Sequence, residues 1–171
     1  CFDSQTFICQ DPKNGQISNN DGGVCTSSCK DPAKCFASSF ICQTPANGNI
    51  SDNDGSACKS ACSQLNKCFD PVTLVCQTPT AQKLSNNDGG SCSNTCNNLT
   101  QCFEQGVFVC KSPDKNQVSN NNGGQCTDKC IDDKKCYDST FVCQSPKDGK
   151  VSNKDGKQCT SLCSNLSKCY N

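Results

Sequence analysis

The sequence predicts a fold of small disulfide-rich tandem repeats, each unit a short β-hairpin plus a short helix, with the units stacked into a rod or solenoid. Three observations lead there. The chain holds 21 cysteines in 171 residues, a density that marks a disulfide scaffold in an oxidising compartment. The stretch Asp21-Gly22-Gly23-Val24-Cys25, with Cys29 four residues on, returns at Asp54 to Cys62, Asp88 to Cys96, Asn122 to Cys130 and Asp155 to Cys163. Self-similarity at a period in the thirties is the mark of a repeat protein. The units are 1–34, 35–67, 68–101, 102–135 and 136–168, and 169–171 opens a further copy.

Each unit begins with a cysteine and an aromatic residue: Cys1-Phe2, Cys35-Phe36, Cys68-Phe69, Cys102-Phe103 and Cys136-Tyr137. A short apolar run then leads to Cys9, Cys42, Cys76, Cys110 or Cys143, and its aromatic and β-branched residues read as a strand. Seven residues separate these two cysteines in units one, three and four, but six in units two and five. One extra residue would turn every side chain to the other face, so a turn or bulge is expected between them. Pro12, Pro45, Pro79, Pro113 and Pro146 follow three residues after the second cysteine and end its ladder. Asn14-Gly15, Asn47-Gly48 and Asp148-Gly149 are hairpin-turn pairs. Next stands a lone apolar residue, Ile17, Ile50, Leu84, Val118 or Val151, each followed by serine. It reads as a short strand with one side chain facing in.

The polar run Asn19-Asn20-Asp21-Gly22-Gly23 invites comparison with a calcium loop, yet it lacks the ligand ladder and distal glutamate that such a loop requires. It reads as a turn and helix N-cap. The last two cysteines of each unit, Cys25/Cys29, Cys58/Cys62, Cys92/Cys96, Cys126/Cys130 and Cys159/Cys163, lie at i and i+4. That spacing places them on one face of a short helix, bonding to two different partners across the unit. Each bridge closing a loop of roughly 15 residues contributes about 3 kcal/mol, enough for two per unit to replace a missing core. Four cysteines per unit leave three pairings open. Cys169 makes the total odd, which leaves a spare thiol at a chain end, Cys1 or Cys169 according to the pairing.

Composition excludes several functions. There is no His, Met, Trp or Arg, and Glu104 is the one glutamate, so a proton shuttle near neutral pH is missing. Formal net charge is zero, which removes the electrostatic term of nucleic-acid binding. Zinc sites repeat C-x2-C or add histidines, unlike this C-x3-C pattern. No metal or cofactor is expected. No apolar run reaches the length of a membrane span, and no basic-then-apolar leader opens the chain; an exported chain would already have lost its signal peptide. Glycosylation triplets begin at Asn49, Asn98 and Asn165.

The cysteine period, the aromatic beside the leading cysteine, the Asn/Ser/Thr/Lys-rich filling and the near-identical copies together resemble the cysteine-rich repetitive surface antigens and coat proteins of ciliates and other protists. The resemblance implies an extracellular coat, antigen or appendage at the cell surface. Five equal units without unique chemistry point to a structural protein, expected to be one stretch of a longer array or a subunit joined end to end with copies of itself in a filament. The competing reading is a carbohydrate- or receptor-binding module that uses Phe2, Phe36, Phe69, Phe103 and Tyr137 as stacking platforms. An enzyme or protease inhibitor lacks parts: histidine is missing, the cysteines are expected to be paired, and no loop stands out as an inhibitory one.

Overall fold

The structure is a computed structural model and describes residues 1–164. Its regular elements are pairs of two-residue antiparallel strands: β1 (Cys35–Phe36) with β2 (Cys42–Gln43), β3 (Cys68–Phe69) with β4 (Cys76–Gln77), β5 (Cys102–Phe103) with β6 (Cys110–Lys111), and β7 (Cys136–Tyr137) with β8 (Cys143–Gln144). Phe36 lies opposite Cys42, and the other pairs keep the corresponding register. In the first unit the pair shrinks to a single bridge, Phe2 to Cys9. By contact the chain divides into two compact units, Cys1–Pro79 with Asn87–Cys92, and Thr80–Asn86 with the chain from Ser93 onward.

No helix is present among the described residues, so the hairpin-plus-helix unit is corrected to a hairpin followed by extended chain and a bend. Val24 bridges Phe2 in parallel, and Thr26 bridges Ile17 antiparallel through Ile17 N–H to Thr26 O at 2.6 Å and Thr26 N–H to Ile17 O at 2.9 Å. The amide of Cys29, which in a helix would bond Cys25 O, donates instead to Gly55 O at 2.9 Å. The physical reason is the cost of nucleation. One helical turn fixes three residues for a single bond, and Thr26-Ser27-Ser28 are poor helix formers. Extended, the same residues find backbone partners already held in place by the hairpin. A spacing of i, i+4 fits both geometries.

The apolar run before the second cysteine also departs from a strand. Phe7, Phe40, Leu74, Phe108 and Phe141 have φ between 54° and 57°, a left-handed conformation that costs a bulky residue roughly 1–3 kcal/mol. Four of these rings lie against the unit's leading aromatic, as in Phe36–Phe40 at 6.2 Å and Tyr137–Phe141 at 6.0 Å between centroids, and that packing offsets part of the strain. The expected turn between the cysteines is here, and it absorbs the spare residue. Phe7, Leu74 and Phe108 donate to the carbonyl four residues back (Asp3, Asp70, Glu104), whereas Phe40 and Phe141 donate three residues back, to Ala37 and Asp138. Beyond Pro45 and Pro146, Asn47-Gly48 (φ 53° and 79°) and Asp148-Gly149 (φ 53° and 74°) have both central residues at positive φ, as a type I′ turn requires.

The cores are small, and each draws on two successive periods of the sequence. In the first compact unit Ile17 packs on the Cys29–Cys42 disulfide with Phe36 and Phe40, and Ile50 packs on Cys62–Cys76 with Phe69 and Leu74. In the second, Leu84 packs on Cys96–Cys110 with Phe103 and Phe108, and Val118 on Cys130–Cys143 with Tyr137 and Phe141. Burying one such aliphatic side chain is worth about 1.5–3 kcal/mol. The sulfur beside it closes the core covalently.

Close approach of backbone fixes one residue type. A Cβ added at Gly55 would lie 2.4 Å from Cys29 O, and the same clash recurs at Gly89, Gly123 and Gly156, whereas at Gly22 nothing lies within 4 Å. Gly22 and Gly55 share φ +71°, so the pair separates backbone strain from contact. Gly22→Ala is expected to cost only the left-handed penalty of about 1–2 kcal/mol, and Gly55→Ala a further ~1–3 kcal/mol for overpacking. Chemical denaturation of the two variants checks this; equal losses would show that the carbonyl is not packed against Gly55.

Candidate functional site

The candidate site is the joint between successive periods. Two kinds of disulfide build it. The opening cysteine of each period pairs with the third of the same period: Cys1–Cys25, Cys35–Cys58, Cys68–Cys92, Cys102–Cys126 and Cys136–Cys159. The fourth cysteine pairs with the second cysteine of the next period: Cys29–Cys42, Cys62–Cys76, Cys96–Cys110 and Cys130–Cys143. The i, i+4 cysteines thus take two different partners, but one partner lies outside the period, which corrects the expectation of two bridges closing within each unit. Cys9 and Cys163 are free. The spare thiols among the described residues are therefore not at Cys1, which is bonded, and Cys169 lies outside the described residues.

Each joint is also a backbone ladder. Ser18 N–H donates to Phe40 O at 3.0 Å and Cys42 N–H returns to Ser18 O at 2.8 Å, and Ser51 and Ser119 repeat this pattern with Leu74/Cys76 and Phe141/Cys143. The buried Ser51 hydroxyl donates to Pro32 O at 2.9 Å, fastening the loop that links the two periods. Serine after the inward residue and glycine after the Asx residue stand at every period. Those two constancies were the available signal for the joint; the second glycine, by contrast, gives way to Ser56 and Lys157.

A second clasp closes each bend across eleven residues. Asn19 donates to Thr26 Oγ1 at 2.9 Å and accepts from Lys30 N–H at 2.7 Å. Where lysine replaces that threonine, at Lys59, the asparagine is replaced by Asp52, and an ion pair of 2.7 Å takes over. Burial pushes the Asp52 carboxyl up, but hydrogen bonds from Lys59 and Ser63 outweigh it and hold the group below the ordinary carboxylate range. Asp52, Cys62 and Cys76 present oxygen and sulfur within 4.8 Å of one another. Both sulfurs are already joined in a disulfide, so no thiolate is there to bind a metal.

In the Asn-Asp-Gly-Gly bends, the Asp21, Asp88 and Asn122 side-chain oxygens accept from the amide two residues on, at 2.8, 2.8 and 3.0 Å. They close the turn. The aromatics Phe2, Phe36, Phe69, Phe103 and Tyr137 are half-buried, and all but Phe2 pack on the joint cores. Of the glycosylation triplets, Asn98 is exposed and accepts from Thr100 N–H and Oγ1. Asn49 is exposed too, but Ile50 and Ser51 beside it are buried; Asn165 lies outside the described residues. No helix among the described residues is long and apolar enough to cross a membrane.

Comparison of the chain with protein-family models, with curated proteins and with solved structures finds no match.

Asp138 offers a titration test of the turn that carries Phe141. Its carboxylate accepts from the Thr140 hydroxyl and amide and from Gln144, which lower its pKa to about 2. With the unfolded value near ~3.9, this group stabilises the fold fully above that value and loses its contribution as pH falls through the folded one. The residue is half-buried but its carboxylate stays in contact with solvent, so its worth is less than about 1 kcal/mol after solvent screening. Asp138→Asn should therefore show a shallower fall in unfolding temperature between pH ~4 and ~2 than the parent chain. Identical profiles would mean that the hydrogen bonds do not persist in solution.

Proposed function

We propose that the chain is an extracellular structural protein, a covalently stapled repeat that assembles with like copies into a filament or coat at the cell surface. The observation that carries this reading is the destination of the sulfur. Four of the nine disulfides among the described residues tie one period to the next, and the side chains beside them serve the same connection. The chain is a disulfide-rich repeat protein, and such bonds persist in oxidising surroundings. A scaffold for mechanical continuity needs neighbouring units joined covalently, and a module that binds ligand one unit at a time does not.

The reading has no enzymatic activity in it. One groove, of about 230 Å³, is lined by Asp138, Gln144, Lys147, Asp148 and Lys150 together with disulfide-bonded Cys159; it brings together carboxylates and ammonium groups without an activated nucleophile or general base of the kind that catalysis needs. The carbohydrate-binding alternative requires open aromatic faces. Here the leading aromatics are half-buried, and a second ring lies against Phe36, Phe103 and Tyr137, which favours the packing role. The surface-antigen character follows the resemblance to protist coat proteins and stands with this proposal.

Immunogold labelling of intact, unpermeabilised source cells with antibody to this chain tests the reading. Continuous label along a surface coat or along fibres is expected. Label confined to the cell interior, or glycan-array binding that Phe36→Ala and Phe69→Ala abolish, would replace it with another function.

A further inference from the structure

A loop of five residues runs from the fourth cysteine of a period to the opening cysteine of the next, and four such loops lie wholly among the described residues. One of them, Asn97 to Gln101, holds the triplet Asn98-Leu99-Thr100, where the others read Asp31-Pro32-Ala33, Gln64-Leu65-Asn66 and Asp132-Asp133-Lys134. Asp31 Oδ1 accepts from Ala33 N–H at 3.0 Å and Asp132 Oδ1 from Lys134 N–H at 3.0 Å. Asn98 Oδ1 closes the same turn, accepting from Thr100 N–H at 3.1 Å and from the Thr100 hydroxyl at 2.8 Å. The turn needs only an oxygen. The amide nitrogen of Asn98 is surplus to it and has no partner among the described residues. Behind the triplet the joint holds the backbone: Leu99 O accepts from the Ser119 hydroxyl at 3.2 Å and from Gly123 N–H at 3.3 Å. Asn98, Leu99 and Thr100 are all exposed. The triplet Asn49-Ile50-Ser51 is the opposite case. Asn49 is exposed, but Ser51 is 0% exposed, and its hydroxyl donates to Pro32 O at 2.9 Å and accepts from Asn53 N–H at 3.1 Å.

We propose that Asn98 is an N-glycosylation site of the folded chain, carrying an oligosaccharide through an N-acetylglucosamine on its amide nitrogen, and that folding closes Asn49 to the same reaction. The inference rests on the extracellular reading above, because the donor is a lipid-pyrophosphate-linked oligosaccharide of the secretory route. In the transfer Asn98 Nδ2 forms a bond to C1 of the sugar and the C1–O bond to the pyrophosphate breaks. The lipid pyrophosphate leaves with that electron pair, and the amide gives up one proton; nothing is oxidised or reduced. A transferase that reads the triplet must reach the amide and the hydroxyl two residues on, and this loop presents both. A glycan on Nδ2 leaves the two bonds to Oδ1 in place, so the modified loop keeps its turn and the joint behind it. Transfer to Asn49 would require Ser51 to leave its joint and break the buried bonds of its hydroxyl.

The test incubates the disulfide-bonded full chain with an oligosaccharyltransferase and a lipid-linked oligosaccharide, then reduces it, cleaves at lysine and weighs the peptides. Residues 84–111 carry Asn98 and residues 35–59 carry Asn49. The folded chain should take roughly tenfold more glycan on 84–111 than on 35–59, and a chain reduced and alkylated beforehand should take it on both. Thr100→Ala should lose the glycan from 84–111, and Thr100→Ser should keep it. Asn98→Asp should lose it with an unchanged disulfide map, since aspartate closes this turn at Asp31 and Asp132. A peptide 84–111 left bare in the folded chain but modified in the unfolded one, or glycan that persists on it in Asn98→Asp, would overturn the site. So would 35–59 modified as fully as 84–111 in the folded chain. This arm reads the loop alone, so its failure leaves the extracellular reading standing. Native material should carry glycan on 84–111. A bare peptide from chain that immunogold places at the cell surface would overturn the proposal by itself, and a bare peptide from chain found only inside the cell would remove the extracellular reading with it.

Discussion

Everything in this molecule depends on a disulfide that crosses from one period to the next beside a single buried aliphatic side chain. A period contributes one inward residue, such as Ile50, and to the cluster around that residue its own period adds one cysteine, Cys62. The next period supplies the aromatic pair or its Phe69/Leu74 equivalent, and the Cys62–Cys76 sulfurs form the wall between them. A chain with 33% hydrophobic residues, cysteines included, cannot assemble a large apolar interior. It compensates by making each small core a covalent seam.

The backbone shows the same priority. Two-residue strands are too short to be stable alone, and the ladder through Ser18, Ser51 or Ser119 ties them to the neighbouring period. Left-handed Phe40 and its equivalents bring the second ring under the first, at a conformational cost accepted for the packing it gives. Glycine is required at Gly55, Gly89, Gly123 and Gly156 because the preceding period's carbonyl lies against it. On the proposed reading the function is the continuation of this seam.

Much of this was legible in the residues. The period, the disulfide character, the inward Ile17 series, the turn that takes up the six- or seven-residue spacing and the Asn-Gly hairpin all follow from local rules of spacing and turn chemistry. The helix did not, because i, i+4 cysteines suit an extended strand and bend equally well, and the deciding partner of the Cys29 amide, Gly55, lies 26 residues away. The pairing was hidden for the same reason. Cys29 and Cys42 belong to different copies, and a reading that closes each copy on itself cannot find them. The exchange of Asn19 and Thr26 for Asp52 and Lys59 was visible as two separate substitutions and became one interaction only in three dimensions.

The most direct measurement is the disulfide map of the unreduced protein after cleavage at lysine. Residues 14–30 carry Cys25 and Cys29, and residues 35–59 carry Cys35, Cys42 and Cys58. The account predicts that these two peptides remain joined through Cys29–Cys42 and that 14–30 is also joined to 1–13 through Cys1–Cys25. Peptide 14–30 bonded to 1–13 through both of its cysteines, with no link to 35–59, would show that each period closes on itself and would contradict the shared core.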